Sequence, residues 1–334
     1  MIVKTFPLIR PGVFATEFKE VHYHSDNVLV MPTLLSVCAA DQRYYFGRRP
    51  SNILQKKLPM ILIHEAIGIV VDSYNSNFRK GDIVVLLPCG KNSVVDSNYA
   101  KEAFFRSSNA PGFCQELISL HSSEIVKIPN VEGGDSFVFT ELLSVCFQAL
   151  RQVSAEIQKS NTVGVWGDGS LGFLMAYLIK KLYPDKYLIC VGKHEDKLNF
   201  FSFANGVETI FARSNTTLDL LIECVGGNGA QTAINEMIIS ANPKATILLT
   251  GVSENSPIIN TRSILEKGLI LKGTTRSIRN DFISAVKFIS DTENRNIISC
   301  LESQRIGVRD AYDLKKAFEL SQQSQFKTLI TFRP

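Results

Sequence analysis

The run PMILIHEAIGIVV, Pro59 to Val71, sets an imidazole and a carboxylate, His64 and Glu65, side by side in a segment otherwise suited to a buried strand. Such a pair costs several kcal/mol in an apolar setting unless something compensates it. Either the pair lies at an exposed turn where a strand begins, or a cation neutralises it. Two further donors stand in chemically suggestive stretches, Cys38 in SVCAADQRYYFG and Glu141 in FTELLSV. A catalytic zinc takes about three protein ligands of the sulfur, imidazole and carboxylate kinds and keeps one position open. Cys38, His64 and one or both glutamates would supply that set. The competing reading is a satisfied histidine and an inert cysteine.

A second group of residues points to a nucleotide. Gly167-Asp168-Gly169-Ser170-Leu171-Gly172 is a GxGxxG that follows the apolar run VGVW and opens the helical pattern LGFLMAYLIKKL. In that context the glycines permit a tight turn and close approach of backbone to a pyrophosphate, which sits on the positive end of the helix. An NAD site usually carries an acid at the end of the next strand, about 20 residues on, to hold the ribose hydroxyls. Here YLICV runs into Gly192-Lys193-His194, so a cation and an imidazole stand where a 2′-phosphate would lie, and NADPH is expected over NADH. The alternative keeps Lys193 and His194 as solvated turn residues and gives the acidic role to Glu195.

The elements that must position these residues fall into two styles. Up to about residue 135 the chain shows short apolar runs broken by turns: NVLVMPTLLSV, AIGIVVDSY, GDIVVLLPCG and SSEIVKIP. These predict a barrel-like or sandwich β domain, interrupted by a long polar excursion from Lys91 to Phe113. From about residue 137 the pattern alternates helix and strand through TELLSVCFQALRQV, YLICVG, TLDLLIECVG, ATILLTGV and LILKGTT, which predicts a parallel sheet covered on both faces. Helical DFISAVKFI and AYDLKKAFEL follow, and FKTLITFRP closes the chain as a strand-like run. The expected fold class is α/β, with a β-rich lobe at 1–145 rejoined by 276–334, and a doubly wound parallel sheet at 146–275.

Composition narrows the function classes. The 334 residues carry a formal net charge of +4 with no block of like charges, so a nucleic-acid surface is not expected. No apolar run is long enough for a signal peptide or to cross a bilayer. The cysteines number seven, are scattered and lack any CxxC, which suits reduced thiols in the cytoplasm.

Together, CAADQRYYFGRRP, KKLPMILIHEAIG, FTELLSV, GDGSLGF, VGKHEDKLNFFSFA and NTRSILEKGLILKGTTRSIRNDF resemble the zinc-containing medium-chain alcohol and polyol dehydrogenases. They are similar in particular to the ribulose-5-phosphate reductases, over essentially the whole chain. The resemblance implies a GroES-like catalytic domain plus a Rossmann domain, and NADPH-dependent reduction of ribulose 5-phosphate to ribitol 5-phosphate for teichoic-acid or capsule synthesis. It carries the zinc-ligand role onto Cys38, His64, Glu65 and Glu141, the two glutamates not necessarily binding together. A divalent cation would then account for His64-Glu65. For the sugar phosphate, Arg43 with Tyr44 in the Cys38 loop, and Arg276 in TTRSIRND, are the candidate contacts, with Arg279 behind them.

Two departures from the pattern stand out. Only Cys89 and Cys114 flank the loop where many relatives hold a second zinc with four cysteines, so no structural zinc is expected. Ala40 replaces the Ser or Thr that begins a proton relay in many relatives, leaving a water or Glu65 for that task. Partners implied by resemblance are a second copy of the chain and a ribitol-5-phosphate cytidylyltransferase. A dehydrogenase for another polyol or polyol phosphate, a zinc-free quinone reductase, and a non-catalytic NADPH sensor remain as alternatives.

Overall fold

The computed structural model describes residues 1–90, 97–100 and 103–334; part of the polar excursion, residues 91–96 and 101–102, lies outside them. The chain divides into two compact units, Met1–Ser144 with Ser277–Pro334, and Val145–Arg276.

The first unit is built on a seven-stranded sheet. In spatial order it runs Ile125–Lys127, Ile83–Leu86, Glu65–Ser73, Asn27–Ser36, Lys327–Phe332 and Glu302–Val308, with Ile118–His121 also pairing to Asn27–Ser36. All pairings are antiparallel except that of the last two strands, which run parallel. Asn27–Ser36 tolerates Pro32 at its centre. One edge pairs with Ile118–His121 only as far as Val30, and with Lys327–Phe332 only from Leu34. On the other edge the register against Glu65–Ser73 shifts just after the Pro32–Gly68 pair, so the proline sits at a break in the ladder. Phe6, Phe113, Phe318, Phe332 and the aliphatic faces of these strands fill the core.

The four short strands read from the sequence in this unit are present, as are the helices Arg279–Ser290 and Ala311–Ser321 and the closing strand Lys327–Phe332. Glu302–Val308 carried no sequence signal. Half-buried Glu302, Gln304 and Ile306 alternate with exposed Ser303, Arg305 and Gly307, so the polar run reads as surface chain, and it forms the outermost strand.

The second unit has six parallel strands in the spatial order Gly206–Thr209, Tyr187–Gly192, Thr162–Trp166, Leu218–Glu223, Ala241–Leu249 and Ile270–Gly273. The first strand in sequence lies in the interior and the chain winds outward in both directions from it. The switch point of such a sheet is where its carboxyl ends open to a ligand. The central strands Thr162–Trp166 and Leu218–Glu223 are mostly apolar and almost wholly buried, as expected of strands covered on both faces, while the edge strands Gly206–Thr209 and Ile270–Gly273 are partly exposed. Helices Ser170–Leu182 and Ala230–Ser240 each turn an apolar face inward.

Candidate active site

The catalytic candidates converge because three strand ends meet. Ser36, near the carboxyl end of Asn27–Ser36, pairs with Glu65 on one side and with Leu329 on the other. Beyond Ser36 the backbone stays in register, with the Val37 N–H donating to the Thr328 carbonyl at 3.0 Å. Cys38 thus emerges between the opening residues of two flanking strands, Glu65 on one and Lys327 on the other. His64 precedes Glu65, so the imidazole arrives at the same corner.

The result is a tight donor set. One ligand atom each from Cys38, His64 and Glu65 lies within 4.8 Å of the others. Glu65 is fully buried and His64 is 5 % exposed. Glu141, on the first turn of helix Thr140–Gln152, is also buried and lies within electrostatic range of both, but its carboxylate is not one of those three grouped donors. Burial pushes the Glu141 carboxyl up to about 7, with Glu65 adding to the rise and His64 opposing it.

The surroundings orient the donors. His64 Nδ1 lies 3.2 Å from Asp41 Oδ2. Asp41 is itself fully buried and accepts the Ile63 N–H at 3.1 Å and the Ser107 hydroxyl at Oδ1. Burial works against charge on both partners, yet their mutual attraction holds Asp41 below the usual carboxylate range. The same attraction, helped by Cys38, holds His64 well above the usual imidazole range. A carboxylate on one ring nitrogen is the arrangement that fixes a ligating histidine and leaves the other nitrogen for a metal. Ile63, just before His64, has φ of 73°. Such a conformation in a β-branched residue costs about 1–3 kcal/mol and survives only where the surroundings impose it. Here the Asp41 bond and the Phe113 N–H on the Ile63 carbonyl, at 2.8 Å, impose it.

The Lys327 ammonium donates to both Glu65 oxygens, at 2.6 and 2.8 Å. Burial would depress the lysine, but Glu65 more than compensates and keeps it charged. The sequence reading did not find Asp41 or Lys327. Lys327 sits 262 residues from Glu65 and looks like one polar residue at the start of an apolar run. Asp41, three residues after Cys38, was legible only as part of the loop.

A partly buried thiol, a buried imidazole whose far nitrogen is pinned, and a buried carboxylate, grouped in one corner, have the chemistry of a divalent-metal site and fit zinc. Without a metal, the positive charges facing the cluster's carboxylates are the Lys327 ammonium and the imidazolium of His64.

The remaining expected residues divide. Arg43 is on the exposed face of the short helix Ala39–Tyr45 after Cys38, its Nε 3.4 Å from the Ala39 carbonyl. Tyr44 is a core residue, 3 % exposed, with the Arg49 guanidinium 4.7 Å above its ring. Arg276 adopts φ of 57° at the end of the second unit. Arg279 is half-buried and donates to the Ile125 carbonyl at 3.1 Å, a structural tie rather than an open anion contact. Cys89 and Cys114 are buried, and burial pushes both thiols up, Cys89 to about 12.

In the second unit the glycine motif turns from strand Thr162–Trp166 into helix Ser170–Leu182. Gly167 has φ of 132°, and a Cβ on Gly172 would lie 1.9 Å from the Gly167 carbonyl oxygen. Only glycine allows the helix to pack this closely on the turn. Asp168, Gly169, Ser170 and Leu171 form the turn and first helical residues. Gly192 ends strand Tyr187–Gly192, and Lys193 and His194 follow it, both exposed.

Residues 24–130 match the alcohol dehydrogenase GroES-like domain. Over 96 % of its length the chain is 40 % identical to ribulose-5-phosphate reductase 1 of Staphylococcus aureus, covering 95 % of that protein. The chain belongs to the ribulose-5-phosphate reductase family. It is 39 % identical to the ribulose-5-phosphate reductase of Bacillus spizizenii over 99 % of both chains. Its structure superposes on that of S. aureus TarJ in complex with NADPH with a TM-score of 0.88, at 36 % identity over the full length of both. L-idonate 5-dehydrogenase of Escherichia coli, at 19 % identity and a TM-score of 0.87, shares the fold. The protein is an oxidoreductase of the alcohol dehydrogenase class, with a GroES-like sheet and a Rossmann sheet. No helix among the described residues is long and apolar enough to cross a membrane.

Proposed function

We propose that the protein reduces D-ribulose 5-phosphate to D-ribitol 5-phosphate with NADPH, assisted by one zinc ion per chain. The observation that carries this reading is the clustered Cys38–His64–Glu65 group, supported by the family membership and by the likeness to a TarJ bound to NADPH. The ketone gains a hydride and a proton while NADPH becomes NADP⁺, and the reaction is reversible. The unit Met1–Ser144 with Ser277–Pro334 is the catalytic domain and Val145–Arg276 the cofactor domain.

Cys38, His64 and Glu65 hold the zinc, with Glu141 as an alternative carboxylate. Zinc bound there supplies Lewis acidity to a ketone oxygen, and NADPH supplies the hydride. Asp41 keeps the His64 ring in its ligating orientation. Lys327 pairs with both Glu65 oxygens, so that the carboxylate is not a bare buried charge where no metal compensates it. Gly167 to Gly172 cradle the pyrophosphate, while Gly192, Lys193 and His194 receive the adenosine end. With alanine at position 40 no hydroxyl begins a relay, so the proton comes from water through Glu65. Two cysteines, Cys89 and Cys114, flank the loop in place of the four a structural zinc would need, which supports one zinc per chain.

Arg43 is the proposed phosphate contact, with Tyr44 packing beneath its loop and Arg276 as a second cation. Changing Arg43 to alanine should raise KM for the sugar phosphate about tenfold or more, the worth of one charge-assisted contact, and leave KM for NADPH nearly unchanged. Equal effects on both would remove the assignment.

A homodimer is proposed through the cofactor domains. Strand Ile270–Gly273 is the last in its sheet, and Ile258, Leu265 and Ile270 near it are 78, 80 and 47 % exposed. A cytidylyltransferase would consume the product, supplying CDP-ribitol for teichoic acid or capsule. The seven cysteines, free where described, suit a cytoplasmic setting. The test of function is NADPH oxidation on adding ribulose 5-phosphate, with and without a chelator. Turnover that requires the sugar phosphate and disappears with the metal is expected; turnover indifferent to either would overturn the reading.

A further inference from the structure

The acid missing from the end of the second Rossmann strand is present in space, supplied from another segment. Asp168, the second residue of the glycine motif, reaches across to the turn after strand Tyr187–Gly192. Its Oδ2 accepts the backbone N–H of Lys193 at 2.6 Å and that of His194 at 2.7 Å, and lies 3.0 Å from His194 Nδ1. An ionised carboxylate only accepts, so Nδ1 carries the proton and Nε2 is left for another partner. The Asp168 side chain is 12 % exposed, whereas the His194 side chain is 50 % exposed. Gly192 makes room for the arrangement: a Cβ there would stand 2.7 Å from the Asp168 Cβ and 2.9 Å from its Oδ2. A side chain at the strand end and the Asp168 carboxylate thus exclude one another.

Two roles are conceivable for an acid in this place. It could accept hydrogen bonds from the ribose 2′- and 3′-hydroxyls, as an acid at the strand end does in NAD sites, and so repel a 2′-phosphate. Or it could be committed to the protein. Three donors already converge on one of its oxygens, two of them main-chain, and a carboxylate so engaged presents little free charge to a ligand. The geometry favours the second role.

We propose that Asp168 is a positioning residue for cofactor specificity: it ties the pyrophosphate loop to the Lys193-His194 turn and sets that turn to receive a 2′-phosphate. The clamp fixes the spacing between the two phosphate-binding segments and presents His194 by its Nε2 edge. The Lys193 side chain is exposed and free of hydrogen bonds among the described residues. The inference rests on the NADPH reading of the same site and deepens it. It inverts the usual meaning of an acid here, since removing this one should weaken NADPH binding rather than strengthen it.

The test measures binding of adenosine 2′,5′-bisphosphate and adenosine 5′-monophosphate by calorimetry to the full-length protein and to D168A and D168N. The ratio of kcat/KM for NADPH over NADH is taken alongside. D168A should weaken the bisphosphate about tenfold, as loss of a charge-assisted network would, and the monophosphate by less than about threefold. D168N, which keeps the side-chain volume beside Gly192 but cannot accept from all three donors, should fall between, and it carries the test if D168A does not fold. Wild-type preference for the bisphosphate retained or increased in both variants would overturn the inference alone. An increase would show the carboxylate to be a ribose ligand. Equal binding of the two nucleotides by the wild-type protein would overturn the NADPH reading, and this inference with it.

Discussion

Replacing Lys327 by methionine is expected to destabilise the chelator-treated protein by about 3–5 kcal/mol, the range for removing one partner of a buried ion pair. The size follows from what is left behind. Glu65 is fully buried, and both of its oxygens are bonded to the Lys327 ammonium. Methionine fills most of the volume but offers no charge and no donor, so Glu65 must stay unpaired or take up a proton. Replacing both residues, as E65Q/K327M, removes the unpaired charge and should recover most of the loss. Urea unfolding of the single and double variants measures this directly. A cost under about 1 kcal/mol for K327M would mean that the pair is solvated rather than buried, outside the range cited for such pairs.

The same substitution makes an opposite prediction for the metal. In the wild-type protein a divalent ion must compete with Lys327 for Glu65. Without that competitor the ion takes over as direct partner of Glu65, so zinc affinity should rise in K327M by about tenfold or more, and saturating zinc should restore more stability to the variant than to the wild type. A fall in affinity would show that Lys327 assists ligation instead of competing with it.

Asp41 carries the second large expectation. D41A removes the partner of His64 Nδ1 and orphans the Ile63 N–H and the Ser107 hydroxyl, which Asp41 now satisfies. Zinc affinity should fall about 10- to 100-fold, as when the outer partner of a ligating histidine is lost elsewhere. Each orphaned group adds about 1–3 kcal/mol of instability. D41N separates the two effects. Its carbonyl still accepts from Ile63 and Ser107, so the fold should hold, while the charge behind His64 is gone and affinity should still drop. Competition for zinc against a chromophoric chelator reads the affinities. Unchanged affinity in D41N would reduce Asp41 to a structural support for the Ile63 turn.

Much of this was legible in the sequence because the relevant signals are local. The alternation of strand and helix after residue 137, and the glycine motif between VGVW and its helix, fix the parallel sheet and its switch point. The His64-Glu65 pair was conspicuous because polar neighbours inside an apolar run demand a cause. What the sequence hid is long-range or inverted. Lys327 compensates Glu65 from the far end of the chain, and nothing near position 327 announces it. Glu302–Val308 joins the sheet as an edge strand with one wet face, so its alternation reads as surface. Asp168 was legible only as a member of the glycine motif, and nothing local shows that its carboxylate reaches the turn after the next strand, which itself lacks an acid. Tyr44 and Arg279 have side-chain types suited to a phosphate site, but only packing reveals that one ring lies in the core and that the other residue caps a carbonyl.

The central claim is that Cys38, His64 and Glu65 together hold a catalytic metal. Its most direct test is the metal content of the wild-type protein and of C38S, both purified with zinc supplied and then dialysed against the same buffered free zinc, with turnover measured on the same samples. The wild type should retain about one zinc per chain, and C38S should retain far less and lose turnover with it. Zinc and turnover both undiminished in C38S, or a wild-type protein that turns over with no metal bound, would contradict the account.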